Sequence, residues 1–250
     1  MSDYKEFIVS LASYSKRINT LHICLESLFS QTIKPENIIV YLDNSVSYDN
    51  LPSSIHPYIK KGLEIAFVEN DIKSHNKYYY SFTKYPNKII ITVDDDVVYE
   101  RHLFENLLKT YNNYPQAICA SRVHYMLFDN NKKIKPYMEW EHECTRITKP
   151  SMRLFATGVG GILYPPNLLS IKTLDKNLIM DLALEADDIW LKFIQILDRI
   201  PVVWSGQLPQ HPPQIEGTKI NGLYNENKER NDYFIQNLIS YYNMDLFNLL

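Results

Sequence analysis

The feature that most constrains this chain is the run from Lys88 to Val93 (Lys-Ile-Ile-Ile-Thr-Val), followed at once by Asp94, Asp95 and Asp96. β-Branched residues at this density suit a buried strand better than a helix, where they crowd the preceding turn. Three adjacent carboxylates repel one another, so a fold accepts them at a strand end where solvent or a cation offsets the charge. Alternate residues of an extended segment share a side, which lets Asp94 and Asp96 converge on one hard divalent ion such as Mg2+ or Mn2+. An acidic turn that merely closes a strand is the plainer alternative.

The neighbouring pattern favours a site. Phe7 to Ala12 is a short apolar run, and Ile18, Leu21, Leu25, Leu28 and Phe29 follow at helical spacing. Ile38 to Leu42 predicts a second strand stopped by the polar Asp43-Asn44-Ser45, and Leu63 to Val68 predicts a third. A tyrosine-rich helix is expected over His75 to Tyr85, and another through Leu103, Leu107, Leu108 and Tyr111. Strands are expected at Ala117 to Ser121 and Val123 to Phe128. The charged stretch Asn130 to Ser151 reads as a long surface loop or lid. Phe155 to Tyr164 resumes an apolar pattern broken by three of the seven glycines. A helix from about Asp187 to Leu197, a strand at Val202 to Trp204 and a proline-rich loop at Pro209 to Pro213 complete the map, with no internal repeat. Such alternation implies an α/β fold with a mainly parallel central sheet flanked by helices, whose ligands collect beyond the carboxyl ends of the strands.

Composition narrows the function. With 250 residues, 45% of them hydrophobic, one domain with a substantial core is expected over 1–250. A formal net charge of −3 argues against a nucleic-acid partner. Cys24, Cys119 and Cys144 are widely spaced and show no CxxC pairing, which fits a reducing cytosol. Met1 to Tyr4 lacks the profile of a signal peptide, and no apolar run approaches the ~20 residues a span needs. Membrane contact is therefore peripheral at most, and the expected location is the cytoplasm, up to the inner face of the membrane. The stripe Phe234, Ile235, Leu238, Ile239, Tyr242, Leu246 and Leu249 is expected to cover the core.

Several side chains on the expected rim can carry chemistry. Asp43 ends a strand and can accept a hydrogen bond from a base or ribose, or close an Asx turn. Tyr14 offers a ring to a nucleobase, and Arg17 a cation to phosphate or to a nearby carboxylate. Asn76 can bond a base edge while Lys77 reaches a phosphate. Asp187 and Asp188 open a helix just after Glu185, more acid than capping requires, so one can act as a general base. Gly158, Gly160 and Gly161 allow close backbone approach to a sugar. His211, between Pro209 and Pro212, is a candidate metal ligand on a stiffened loop.

These segments together resemble the GT-A glycosyltransferases, most closely the family 2 type that builds bacterial surface polysaccharides. Ile8 to Arg17, followed by Leu25-Glu26-Ser27-Leu28-Phe29-Ser30-Gln31-Thr32, is similar to the family's first strand and its helix ending in Ser-x-x-x-Gln. Asp43 matches its uridine-contacting aspartate, Asp94-Asp95-Asp96 its DxD metal motif, and Asp187-Asp188-Ile189-Trp190-Leu191 its Glu-Asp motif before a helix. The resemblance covers about residues 7 to 205. It implies a GT-A (nucleotide-diphospho-sugar transferase) fold with a nucleotide-binding part at about 1–125 and an acceptor side at about 126–250. The implied donor is a UDP-linked sugar contacted by Ala12, Ser13, Tyr14, Arg17, Asp43, Asn76, Lys77, Asp94 and Asp95. The implied cofactor is Mn2+ or Mg2+ on Asp94 and Asp96, and the implied acceptor is a glycan or lipid-linked glycan. Asp188 would be the base in an inverting enzyme, with Asp187 second. A similar Asp-Asp-Ile pattern occurs in retaining exostosin-like transferases, so stereochemistry stays open.

Two rival readings exist. Val93 to Val98 also fits the strand-DxDxV pattern of haloacid-dehalogenase-like phosphatases, where the first aspartate is a nucleophile. That motif normally opens a chain, whereas here three expected strands precede it. The second rival is a non-catalytic module that binds nucleotide-sugar or glycan.

Overall fold

The apolar runs expected as strands pair into one sheet, seen in a computed structural model that describes residues 6–218 and 223–250. In chain order the elements are β1 (Phe7–Ser13), α1 (Leu21–Phe29), β2 (Asn37–Leu42), α2 (His56–Lys60), β3 (Leu63–Phe67), α3 (Asn76–Lys84), β4 (Ile89–Thr92), α4 (Leu103–Asn113), β5 (Ile118–Ala120), β6 (Val123–Tyr125), β7 (Leu154–Ala156), β8 (Ile162–Tyr164), α5 (Lys176–Leu182), α6 (Asp187–Leu197), β9 (Val202–Trp204), α7 (Leu223–Tyr242) and α8 (Leu246–Leu249). The sheet runs β3-β2-β1-β4-β8-β5-β9, and β6 pairs with β7 in a separate ribbon.

Only β8 runs against its sheet neighbours. Its amino end therefore enters the sheet at the rim where the other strands finish. The register makes this explicit: Ser13 lies opposite Leu42, Thr92 opposite both Ser10 and Ile162, and Ala120 opposite both Ile162 and Trp204. One edge of the molecule thus collects the loops after β1, β2, β4, β5 and β9 together with the glycine turn before β8.

Both faces of the sheet are covered, so its strands read as continuous apolar runs rather than alternating ones. Val9, Leu11, Val40 and Ile91 pack with Leu25 and Leu28 of α1 and with Leu107 of α4. Ile8, Ile39 and Ile90 face the other way, toward Tyr80 and Phe82 of α3. Beyond β4, Trp190, Phe193 and Ile194 of α6 cover Ile118 and Tyr164, and Phe234, Ile235 and Leu238 of α7 join the same cluster. The carboxyl-terminal stripe covers the core, as its spacing suggests. Trp190 is fully buried, and its indole N–H reaches the Thr173 carbonyl at 3.0 Å, which satisfies the polar atom that burial would otherwise strand.

Three departures from the expected map have simple causes. The 130–151 segment is irregular but is no free lid: Tyr137, Trp140 and Cys144 are buried, and Glu141 and Tyr125 exchange backbone hydrogen bonds at 2.9 and 3.1 Å. Its charged residues mask this apolar minority. The helices α2 and α5 span five and seven residues, too short to show a period. The strand expected over Val123 to Phe128 ends at Tyr125, after which the chain turns toward residue 135. Met1 to Tyr4 lie outside the described residues.

One buried polar contact locks the two halves of the rim. The His75 ring, wholly inaccessible, donates from Nε2 to the Ala183 carbonyl at 2.8 Å, and Nδ1 accepts from the Tyr78 hydroxyl at 2.7 Å. Burial pushes its pKa down to about 4, against the pull of Asp187. Because the unfolded chain takes this proton near pH 6.5 and the folded chain does not, the neutral ring contributes stability that is lost as pH falls from 6.5 toward 4. NMR titration of the histidine side chains should find the His75 ring neutral at pH 5; a midpoint near 6.5 would contradict the contact.

Candidate active site

The site is built around the first residues beyond β4. The Asp94 backbone N–H donates to the Tyr99 hydroxyl at 2.8 Å, and that hydroxyl donates to the Val159 carbonyl at 3.1 Å, so one ring ties the acidic run to the glycine turn. Ser27 and Gln31, the Ser-x-x-x-Gln residues of α1, hold the following segment. The Tyr99 N–H donates to Ser27 Oγ at 3.1 Å, and the Gln31 amide bonds the Glu100 carbonyl at 2.7 Å and the Phe104 N–H at 3.2 Å. A buried amide with several satisfied bonds fixes its partners in one geometry.

Two cations divide the carboxylates between them. Arg17 Nη1 lies 2.6 Å from Asp95 Oδ1 and 3.1 Å from Asp96 Oδ2. Burial works against the Arg17 charge, but Asp95 and then Asp96 outweigh it, so the guanidinium holds its proton more firmly than usual. Lys77 Nζ, almost inaccessible, lies 2.6 Å from Asp94 Oδ1 and 2.9 Å from Asp187 Oδ2. Burial alone would strip its proton; Asp187, Asp94 and Asp188 reverse that and raise its pKa well above normal.

The paired acids at the start of α6 behave differently. Asp187 is buried, a cost that Lys77 and then His75 overcome, so its carboxyl stays below the usual range. Asp188, less buried, accepts from the Gly158 N–H at 3.0 and 3.1 Å. Burial first, and the ionised neighbour Asp187 second, push its pKa up to about 8. A pair of carboxylates with opposite shifts is the arrangement by which one stays charged while the other exchanges a proton. One helical turn on, the Lys192 ammonium donates to the Met152 and Leu154 carbonyls at 2.5 and 2.7 Å, fixing α6 against β7 and hence Asp188 against the turn.

The glycines matter for a reason not visible in the sequence. A Cβ on Gly158 would stand 2.8 Å from Lys77 Nζ and 3.1 Å from Asp188 Oδ1, and one on Gly160 would stand 2.4 Å from Arg122 Cβ. They let the backbone approach the charged cluster itself, where close approach to a sugar was expected.

The expected nucleotide residues share the same rim. Asp43 Oδ1 accepts from the Ser45 N–H at 3.0 Å and from the Ser45 hydroxyl, an Asx turn, and the Ser15 N–H donates to that hydroxyl at 3.2 Å. This joins the loop of Ala12, Ser13 and Tyr14 to Asp43. The Arg17 guanidinium carbon lies 5.7 Å from the centre of the Tyr14 ring. Asn76 needs correction: its side chain is buried, accepts from the Ile72 N–H at 3.1 Å and donates to Asp71 at 2.7 Å. It shapes the turn that delivers Lys77 instead of presenting an amide to a base. His211 is exposed and its Nδ1 contacts the Pro212 carbonyl at 2.7 Å. Among the described residues no three His, Cys, Asp or Glu side chains converge as a metal cage, so His211 is not brought into one with Asp94 and Asp96.

Sequence reasoning missed Tyr99, His75, Lys192 and Arg122. Tyr99 is one of nineteen tyrosines, and nothing local marks it. Lys192 did carry a signal, a lysine set between the apolar Leu191 and Phe193.

The family model for Glycosyl transferase family 2 matches residues 9–163. No curated protein matches the chain. Among solved structures, the mannosyltransferase PcManGT from Pyrobaculum calidifontis in complex with GDP-Man and Mn2+ is similar with a TM-score of 0.55 at 11% identity, over 97% of this chain and 66% of that one. S. aureus TarS 1–349 gives 0.52 at 15% identity, over 79% of this chain and 58% of that one. The same TarS fragment in complex with UDP gives 0.51 at 13% identity, over 79% and 57%. These likenesses are of fold, and the chain spans under two thirds of the length of each relative.

Removing the shared cation leaves two carboxylates without their partner. Lys77→Met should cost about 3–5 kcal/mol in urea unfolding at pH 7. Asp187, held low by Lys77, contributes stability that is present above pH 4 and lost as pH falls through its folded pKa. The deficit of Lys77→Met relative to the parent should therefore shrink on acidification, and a pH-independent deficit would contradict the ion pair.

Proposed function

Since the chain belongs to glycosyl transferase family 2, we propose that it moves a sugar from a UDP-linked donor to a hydroxyl of a glycan or lipid-linked glycan acceptor. Family membership displaces the phosphatase reading of Asp94. The observation that carries the proposal is the Lys77 bridge, which holds the run after β4 and the acids of α6 around one ammonium. In this reading residues 1–125 form the donor half of a single domain and 126–250 the acceptor half. The neighbour in complex with UDP supports a uridine donor, while the one holding GDP-Man makes guanosine the alternative to test.

A hard divalent cation fits the acidic run. Asp96 has its pKa pushed up to about 6 by burial and then by Asp94, the repulsion that such an ion relieves, and carboxylate oxygens are the donors Mn2+ and Mg2+ prefer. Asp94 and Asp96 would hold it. When bound, the ion supplies positive charge at the departing diphosphate.

The chain's own residues do the rest. Tyr14 stacks on the base and Asp43 accepts from a base N–H. Arg17 keeps Asp95 and Asp96 in place. The acceptor hydroxyl gives its proton to Asp188 as its oxygen bonds the anomeric carbon. The bond from that carbon to the diphosphate oxygen breaks, and the electron pair leaves with the diphosphate. Asp188 suits this role better than Asp187, because Lys77 holds Asp187 ionised and its charge raises the proton affinity of Asp188. In retaining transfer the same carboxylate would orient the sugar, and the anomer of the product distinguishes the two.

We place the activity in surface polysaccharide synthesis at the inner face of the membrane, on the family resemblance. No described helix is long and apolar enough to cross a membrane.

Thermal shift with UDP and GDP, each with and without Mn2+, should give a metal-dependent rise for one nucleotide. Asp188→Asn should keep that rise and lose transfer by roughly 100-fold or more. Parent turnover should increase with pH through about 8, as Asp188 gives up the proton it holds at lower pH. A shift without turnover in the parent would favour the binding module; full turnover in Asp188→Asn would remove the base.

A further inference from the structure

Arg122 is a rim cation that the proposed reaction leaves unused. It stands two residues past β5, beside the glycine turn, on the side opposite the carboxylates. Its Nη1 donates to Thr157 Oγ1 at 3.0 Å, and its Nε lies 3.2 Å from Glu143 Oε1. Thr157 immediately precedes Gly158, whose N–H holds Asp188, so one peptide separates the Arg122 contact from the Asp188 contact. Gly160 packs on the same stretch: a Cβ there would stand 2.4 Å from Arg122 Cβ and 2.8 Å from its backbone nitrogen, so the turn lies directly against this segment.

The guanidinium is held but not saturated. Among the described residues Nη2 makes no hydrogen bond, and the one carboxylate partner, Glu143, is 43% exposed and bonds Nε only. The charge of Arg122 is still felt inside the protein: after burial, it is the next cause that keeps His124 neutral, with a pKa of about 2. The end of β9 runs alongside, where the Ser205 N–H bonds the Ala120 carbonyl at 2.9 Å. A guanidinium edge that is not saturated suits a ligand that carries an oxyanion. The opposite side of the turn, lined by Asp94, Asp187 and Asp188, would repel such a group.

We propose that Arg122 is an oxyanion receptor on the acceptor side of the rim, which takes the carboxylate or phosphate of an acidic acceptor sugar. This rests on the transferase reading above. In the free enzyme Glu143 occupies part of the guanidinium, and the incoming anion displaces it.

The test is titration of the full chain, with UDP and Mn2+ present, by saturation-transfer NMR. The ligands are methyl β-D-glucuronide, glucose 6-phosphate and the neutral methyl β-D-glucoside. At least one acidic sugar should bind about tenfold or more tightly than the neutral one, and which one identifies the anion. Arg122→Gln should abolish that preference and leave UDP affinity unchanged. Glu143→Gln removes the competing carboxylate and should tighten the acidic sugar several-fold, which decides the matter even if Arg122→Gln fails to fold. Equal binding of acidic and neutral sugars, binding of neither, or no gain in Glu143→Gln would overturn the proposal for Arg122. Failure of the parent to bind UDP or GDP would instead count against the donor reading.

Discussion

The ammonium of Lys77 is the constraint on which the site depends. It arrives on the first turn of α3 and meets one carboxylate from the end of β4 and one from the start of α6, segments remote in sequence. Burying a lysine costs several kcal/mol unless charge repays it, and burying Asp187 beside Asp188 costs as much again. Each partner is tolerable because the others are present. The acidic run and the proposed base therefore cannot drift apart without exposing or stranding a charge, and the backbone at Gly158 seals the arrangement by passing within contact of both Lys77 and Asp188.

Around that contact the fold supplies stiffness. Gln31 and Ser27 brace the segment after Asp96, Tyr99 braces Asp94 against the glycine turn, Lys192 braces α6 against β7, and His75 braces the start of α3 against the connection before α6. None of these groups needs to touch a substrate. They fix the orientation of those that would, which is how preorganised polar groups lower the cost of charge development. The antiparallel insertion of β8 is the topological device that makes it work, since it turns the glycine loop into the rim's central wall.

Much of this was legible in the sequence. Apolar runs ending in polar residues gave the strands β1, β2 and β4 and the rim order of Tyr14, Asp43 and Asp94, because a parallel sheet buried on both faces writes its strands as unbroken hydrophobic stretches. The paired acids before an apolar helix located Asp187 and Asp188. Other features were hidden for physical reasons. Asn76 and Lys77 looked alike as polar residues at a helix start, yet one side chain folds back on its own turn while the other crosses to Asp94 and Asp187, a choice made by tertiary packing. The 130–151 segment looked free because its charged residues outnumber Tyr137, Trp140 and Cys144, which anchor it. The glycine turn was read as room for a ligand, and what the sequence did not show is that Gly158 also leaves room for the Lys77 ammonium and Gly160 for the chain at Ser121 and Arg122.

The coupling of the two acidic motifs through one ammonium is most directly tested by a double-mutant cycle on stability with Asp94→Asn and Asp187→Asn. Either change alone leaves Lys77 one close carboxylate, while both together leave it buried without one. The double variant is therefore expected to lose more than the sum of the single losses, by about 1 kcal/mol or more. Additive losses, within about 0.5 kcal/mol, would show that the two motifs are held independently and that Lys77 does not join them.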